Sequence, residues 1–517
     1  MPKEVPAPNS RIISRQNSHL YIMSYKYIVG LSFLFAFGAS YVQAASSSLP
    51  KTKEEVLNAG LPVVEITTVN GELPTCEHIS GKAWGISVTS ITNATKVPGR
   101  LTISTKKDGV IYDSGDYEQD MSGMTFKIRG NTSALVDKKP YKIKLQKKGD
   151  LLCRGDKKYK NKNWLLIHDY KYRAILGFKV NELMGMQWTP AHEYVNVMIN
   201  GKYQGLYLLL ESVERDVDCR INVSKSGYLF EYDAYWWKED LKENGYYVKI
   251  PTYLSGKMYY TFKYPDTDDM TDDQKEYFIE MITAVEASVK DGTYQDYIDI
   301  SSFASWVLAH DILGTADGTG SNIFLTKYDN TKESKVMMAN LWDFDSILQK
   351  TKEWSTSHKR FYFPHLFSKN PNNAFIKAYR NRWDDVSPII FDELNSYLDA
   401  FAKSKEADAL NTSVGWDDEL WKWESKTATV QDLMTLYKSK FDNRKAWLAD
   451  AISTFPSSQT KGDVNGDTYV DKQDIMVLKD IIKKKRLIYQ LSRVDVNGDK
   501  KVNVADIVEL IKLIRKK

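Results

Sequence analysis

Residues 316–325 read ADGTGSNIFL: an Asp, a glycine-rich polar stretch and an Asn lead straight into an apolar strand. Residues 341–345 read LWDFD, a second apolar run that ends in acids. As strands, Ile323–Thr326 and Val336–Trp342 would set Asp317, Asn322 and Asp343 at the ends of two neighbouring elements. Side chains alternate along a strand, so Asp343 and Asp345 would share a face. Each residue also has a plainer reading. Asp-Gly favours turns, and an Asn heading a strand can be a simple cap. An Asp closing an apolar strand is harder to explain without a ligand.

Around this core the composition is ordinary. The chain has 517 residues, more than one hydrophobic core accommodates, so two or more domains are expected. Apolar residues make up 42% and charged residues 27%, which is typical of globular proteins. A net charge of +4 gives no support to nucleic acid as a partner. With only Cys76, Cys153 and Cys219, a disulfide scaffold is excluded and at most one internal bridge can form. His168, His192 and His310 have no ligand spacing and read as structural.

The N-terminus carries Lys26, an apolar run from Tyr27 to Ala39 and the small residues of Val42-Gln43-Ala44-Ala45. That order reads as a secretory leader over residues 1–44, with Met23 the better start. Its apolar run is short for a membrane span, so no stable span is expected after leader removal. Strand-and-turn units fill 45–125: Leu61–Thr68 is β-branched, and further on Thr125–Arg129 and Tyr141–Leu145 alternate apolar and polar. Residues 173–186 look helical. Tyr194–Ile199, Asn200-Gly201 and Tyr203–Leu210 read as a hairpin, Asn-Gly being the strongest short signal for one. Helical patterns dominate 270–315 and 373–454. The sum is an α+β protein with a domain over 126–455, a polar linker over 456–462 and a separate module over 463–517.

That module is an internal duplication. Residues 463–474 read DVNGDTYVDKQD and residues 495–506 read DVNGDKKVNVAD. Asp, Asn and Asp occupy loop positions 1, 3 and 5, an Asp or Asn position 9 and an Asp position 12. This spacing wraps oxygen donors around one hard cation. The first loop offers Asp463, Asn465, Asp467, the carbonyl of Tyr469, Asp471 and Asp474; the second offers Asp495, Asn497, Asp499, the carbonyl of Lys501, Asn503 and Asp506. Each loop runs into an apolar-periodic helix. Thr468 and Lys500 stand at position 6, where Gly is usual. The pair resembles a dockerin, a small all-α calcium module, which implies two Ca2+ ions and a cohesin partner on a scaffold protein. Positions 10 and 11, Lys472-Gln473 and Val504-Ala505, differ between the copies.

The order Asp317, Asn322, strand, strand, Asp343 also matches the parts of a phosphoryl-transfer site. There one Asp accepts the proton of the attacking hydroxyl, while an Asn and a later Asp hold the metal against the phosphates. Three further stretches sharpen this: FKIRGNTS at 126–133 followed by KKPYKIKL at 138–145, and VNVMINGKYQGLY at 195–207 running into LLLESVE at 208–214. With WDFD at 342–345, these resemble the spore-coat-protein-H (CotH) family of atypical secretory-pathway protein kinases over roughly residues 60–370. The resemblance implies a two-lobed kinase-like fold, ATP with Mg2+ or Mn2+, and a protein hydroxyl as acceptor. It implies that Lys139 contacts the phosphates and that Glu211 orients it or a metal. Asp317 would be the base, Asn322 and Asp343 magnesium ligands and Asp345 a second ligand, with Arg129 holding the phosphate-side loop. Lys142 and Lys144 lie on the same strand as alternatives to Lys139, and Lys138-Lys139 also reads as a solvated pair. Residues 172–177, YRAILG, lack the Arg-Asn-Lys frequent in the family at this place.

The whole reads as a secreted protein Ser/Thr kinase tethered by its dockerin. A kinase-like surface adaptor without activity is the alternative, since ATP is scarce outside cells. A carbohydrate-active enzyme is a second alternative, resting only on the company dockerins keep.

Overall fold

The computed structural model describes residues 49–516, apart from 84, 250–257, 320, 369–372, 424–426, 459 and 484–488. The leader expected over 1–44 falls outside the described residues. Cys76, Cys153 and Cys219 are free thiols. No helix among the described residues is long and apolar enough to cross a membrane.

After helix α1 (Lys53–Asn58), capped by Thr52 and Glu55, the chain builds a barrel. Its strands are β1 (Val63–Thr68), β4 (Val97–Thr105), β6 (Met124–Ile128), β7 (Tyr141–Gly149), β8 (Asn161–Ile167), β9 (His192–Ile199) and β10 (Lys202–Glu211). They pair in the order β1-β9-β10-β8-β7-β6-β4, and a β1–β4 pairing closes the ring. β5 (Gly109–Asp113) extends the edge of β4, and β2 (Glu77–Ala83) pairs with β3 (Ile86–Thr92) as a separate hairpin. The alternation legible in the sequence sets the two faces. Phe126, Ile128, Tyr141, Ile143 and Leu145 point into the barrel core. Lys127, Arg129, Lys142 and Lys144, one residue out of step, must lie on the outer face.

That outer face abuts the second half of the molecule. Leu165, Leu206, Leu208 and Leu210 leave the barrel and join the largest core cluster. Helix α2 (Arg173–Leu183) crosses there and stops three residues short of the expected 186. Beyond it lies a second sheet, β12-β11-β13-β14, made of β11 (Tyr228–Asp233), β12 (Tyr259–Tyr264), β13 (Ile323–Lys327) and β14 (Val336–Met338). Helices α3 (Asp272–Asp291), α4 (Ile300–Leu313), α5 (Phe363–Leu366), α6 (Ala374–Val386), α7 (Ile390–Ala402), α8 (Lys405–Trp421) and α9 (Val430–Ser453) complete this half, α4 packing against β14 and α8 against β10 of the barrel. Residues Phe303–Leu313 of α4 are all buried, the pattern of a helix inside a core. The fold is α+β, as the sequence pattern implies.

β14 is shorter than expected. The ladder ends with Ala339 N–H donating to the Phe324 carbonyl at 2.9 Å. Leu341 N–H then donates to Asn181 Oδ1 of α2 at 2.7 Å, so a helix side chain takes over from the sheet. Asp343 and Asp345 therefore lie past the strand, and no strand geometry sets them on one face.

The C-terminal module comprises α10 (Lys472–Ile482), α11 (Leu491–Val494) and α12 (Val504–Arg515), with a core of its own around Val464, Leu478, Val496 and Leu510.

Candidate active site

α4 ends in a left-handed cap at Gly314, and the following loop carries Asp317. Asp317 N–H donates to Ser346 Oγ at 2.9 Å, and Ala316 N–H to the Ser346 carbonyl at 3.0 Å. These bonds bind the Asp317 loop to the segment that holds Asp343 and Asp345. Phe344, between the two acids, is buried: it lies over Gly177 of α2 and meets Phe178 edge-on at 5.1 Å. Arg173, at the start of α2, donates to the Asp345 carbonyl. Asp343 itself has φ +63°, a left-handed conformation that Asp tolerates but does not prefer. Ser321 has φ +82° and donates to Asp233 Oδ1 at 2.8 Å. Asn322 follows, mostly buried at the head of β13, at the sheet end where Asp233 closes β11.

Three carboxylates so placed repel one another. Asp343 is pushed well above the usual carboxylate range, by loss of water first and then by Asp345 and Asp317. Asp345 is raised by loss of water, with Arg173 opposing and a hydrogen bond to Asp343 helping its charged form. Asp317 is raised in the same way, with Asp345 adding to the shift and Arg360 opposing it. The side chains still reach solvent. Carboxylates that reach the surface and repel one another form a set that a hard cation would relieve.

Cations stand opposite, on the barrel. Arg129 follows β6, and burial lowers its pKa against the pull of Asp343 and Glu231. Burial likewise lowers Lys142 on β7, against Glu214 at 3.6 Å. From the second sheet Lys263 meets Glu231 at 2.8 Å. Burial lifts Glu231 to about 7, with Lys263 opposing. For Lys263 the attraction of Glu231 and Asp233 outweighs burial, and its pKa is raised.

The expected Lys139–Glu211 pair is not formed. Register sets Glu211 opposite Trp164 and Trp164 opposite Ile143, four residues along from Lys139. At ~3.3 Å per residue that is about 13 Å. Lys139 Nζ instead donates to the Ala134 carbonyl at 2.9 Å. Glu211 is buried with Arg154 at 2.9 Å and accepts from Ala191 N–H at 3.0 Å. Lys138 is not solvated. It is fully buried, 2.6 Å from Asp417 of α8, and clamps the barrel to the helices. Lys144 stays exposed across from Asn163. Among the three lysines, Lys142 is the one beside Arg129 and an acid. Glu214, Glu231, Asp233 and Lys263 were missed in the sequence. The available signal was a pair of acids inside the aromatic strand Phe230-Glu231-Tyr232-Asp233. His168, His192 and His310 are structural: burial holds His168 and His310 down to about 3, and burial lowers His192 as well.

The two repeated loops are alike in backbone. Asp474 Oδ1 and Oδ2 accept from Asn465 N–H at 3.1 Å and Asp471 N–H at 2.8 Å. Asp506 accepts from Asn497 and Asn503 at the same two distances. Thr468 and Lys500 take φ +79° and +65°, so the turn forms in the glycine-like conformation without glycine. Asp463 Oδ1 is buried with no protein partner, an orphaned acceptor at loop position 1 that suits a cation. Among the described residues no three His, Cys, Asp or Glu side chains already form a closed metal shell; each loop counts Asn and a backbone carbonyl among its donors.

The family model described as CotH kinase protein matches residues 126–448, and that for the Dockerin type I domain matches residues 461–515. The chain belongs to the CotH kinase protein family and carries a type I dockerin domain. No curated protein matches. Among solved structures, a proinflammatory kinase of Helicobacter pylori, CtkA, is similar at 10% identity and TM-score 0.24, covering 54% of this chain and 92% of its own. The HipA–HipB toxin–antitoxin complex of Shewanella oneidensis MR-1 with operator DNA is similar at 10% identity and TM-score 0.20, covering 70% of this chain and 67% of that one. At such TM-scores the likeness carries no argument about activity.

Proposed function

We propose that the protein is an exported kinase that transfers the γ-phosphate of ATP to a protein hydroxyl and is tethered to a cohesin by its calcium-loaded dockerin. The observation that carries this reading is the convergence of Asp317, Asp343 and Asp345 opposite Arg129, Lys142 and Lys263. A bound magnesium or manganese ion would neutralise charge on the phosphate oxygens. Asp343 and Asp345 would hold it, with Asn322 a further oxygen donor. Asp317, raised in pKa and tied to the same segment, would accept the proton of the acceptor hydroxyl. Lys142, positioned by Glu214, takes the phosphate-contacting role expected of Lys139. Arg129 faces both that lysine and Asp343, so it bridges the anion site and the metal site. The dockerin loops would each take one Ca2+ through the donors named above.

The test is transfer of label from γ-labelled ATP by the chain lacking residues 1–44, with Mg2+ or Mn2+ and a generic acidic protein as acceptor. Label on the acceptor or on the chain, lost in Asp343→Ala and Asp317→Ala, supports transfer. Absence of both label and any ATP-dependent rise in melting temperature would establish the adaptor reading instead.

A further inference from the structure

The two calcium loops are duplicates in sequence but not in surroundings. The closing Asp474 and Asp506 are buried alike, but Asp463, Asn465 and Asp467 of the first loop are buried where Asn497, Gly498 and Asp499 of the second are exposed. What buries the first is the CotH domain. Ser301 Oγ, in the first turn of α4, donates to the Asn465 carbonyl at 3.0 Å. Asn381 Nδ2, on α6, donates to the Gly466 carbonyl at 2.9 Å, while its Oδ1 accepts from Ser458 N–H at 2.9 Å. Arg493, just ahead of the second loop, reaches back to Asp385 of α6 and donates to the Asn381 carbonyl at 2.8 Å. Gln490 N–H donates to Asp385 Oδ1 at 3.1 Å. The fit is tight: a Cβ on Gly466 would lie 2.7 Å from Arg493 and 3.3 Å from Asn381, whereas one on Gly498, its counterpart, would meet nothing.

The CotH domain thus grips the outside of the loop. It takes the carbonyls of positions 3 and 4, which are not among the loop's expected donors, while the carboxylates gather inside. The same short backbone is shaped from within by whatever the carboxylates bind and held from without by Ser301 and Asn381. Asp299, the N-cap of α4, adds a negative charge within electrostatic range of Asp467.

We infer that the first loop is a calcium-dependent latch: the ion in it fixes the dockerin on the CotH domain, and the docked CotH domain in turn strengthens that loop's hold on calcium. This rests on the calcium reading of the repeats. Coupling between two binding events is reciprocal, so weakening the docking must weaken calcium in the first loop and leave the second alone.

The full chain lacking residues 1–44 supplies the test, with tryptic cleavage read as calcium is titrated. Lys461 reports the first loop, and Lys500 and Lys501 lie inside the second; all three are exposed. Wild type should become protected at both places. In Ser301→Ala/Asn381→Ala the midpoint at Lys461 should rise about tenfold, within the usual range of coupling, while that at Lys500–Lys501 stays put. Ser301→Ala alone should move it less, in the same direction. Unchanged midpoints, or an equal shift at both places, would overturn the latch with the calcium reading intact. Failure of calcium to protect either place in wild type would overturn both together.

Discussion

Gly177→Ala is the substitution that asks most of the site. An alanine inside a helix is worth ~1 kcal/mol over glycine when space is free. Here space is absent: the added Cβ would lie 2.0 Å from Phe344 Cδ1 and 2.2 Å from two more ring atoms. Ordinary carbon contacts need ~3.5–4 Å, so the ring must retreat by about 1.5 Å or more. Phe178 stands against it edge-on at 5.1 Å and leaves little room. Overpacking of this kind costs typically about 1–3 kcal/mol, which cancels or exceeds the helical gain, so a net loss of up to ~2 kcal/mol is expected. The larger effect falls on activity. Phe344 is flanked by Asp343 and Asp345, and a displacement of ~1 Å in positioned groups can cost roughly 100-fold in rate. Urea unfolding and the initial rate of label transfer measure the two effects. Phe344→Leu in the Gly177→Ala background should recover part of the stability. A Gly177→Ala protein more stable than wild type with an unchanged rate would refute the seating of Phe344 as the support of the site.

Lys138→Ala strands Asp417 in the interior and should cost about 3–5 kcal/mol by urea unfolding, whereas Lys138→Met/Asp417→Leu should cost far less. Lys142→Ala should lower label transfer much more than Lys139→Ala, and equal losses would return the phosphate role to the wider lysine group. Glu286 accepts from the Tyr260 and Tyr362 hydroxyls at 3.1 Å each, and burial lifts it to about 7. A folded pKa above the unfolded value gives stability that is full below ~4.5 and lost as pH rises through 7, about 3 kcal/mol at most. Glu286→Gln should flatten that fall, read from urea midpoints at pH 5 and pH 8. EGTA should remove helical signal from the full chain, and Asp463→Ala and Asp495→Ala should each abolish part of the calcium response seen by circular dichroism.

Elements governed by local pattern were readable in the sequence. β6, β7 and the Asn200-Gly201 hairpin followed from alternation and turn chemistry, and the calcium loops from spacing. The segment after β14 was not, because its path depends on Asn181, far away in the chain, which takes Leu341 N–H from the sheet. Which lysine faces the acids was likewise hidden. Lys138, Lys139, Lys142 and Lys144 look alike in sequence. Their fates depend on Asp417, Ala134 and Glu214, which the fold brings in from a helix, a turn and a strand end. Glu231 and Lys263 could be found only when β11 and β12 were paired. Asp343 and Asp345 were visible because a carboxylate closing an apolar run has few structural excuses, and Asp317 through its spacing to Asn322 and the strands that follow.

α4 has a mechanical side. Its first turn holds Ser301 against the first calcium loop, and its last leads through Gly314 to Asp317. At 1.5 Å per residue its 14 residues make a strut of about 21 Å. With the latch closed, a pull on the dockerin enters the molecule at the head of this strut as well as along the chain. The strut is clamped by the core along its length, so tension from a scaffold would spread through the whole hydrophobic interior. The protein would hang by its core, with Asp317 held in a fixed orientation to its point of suspension.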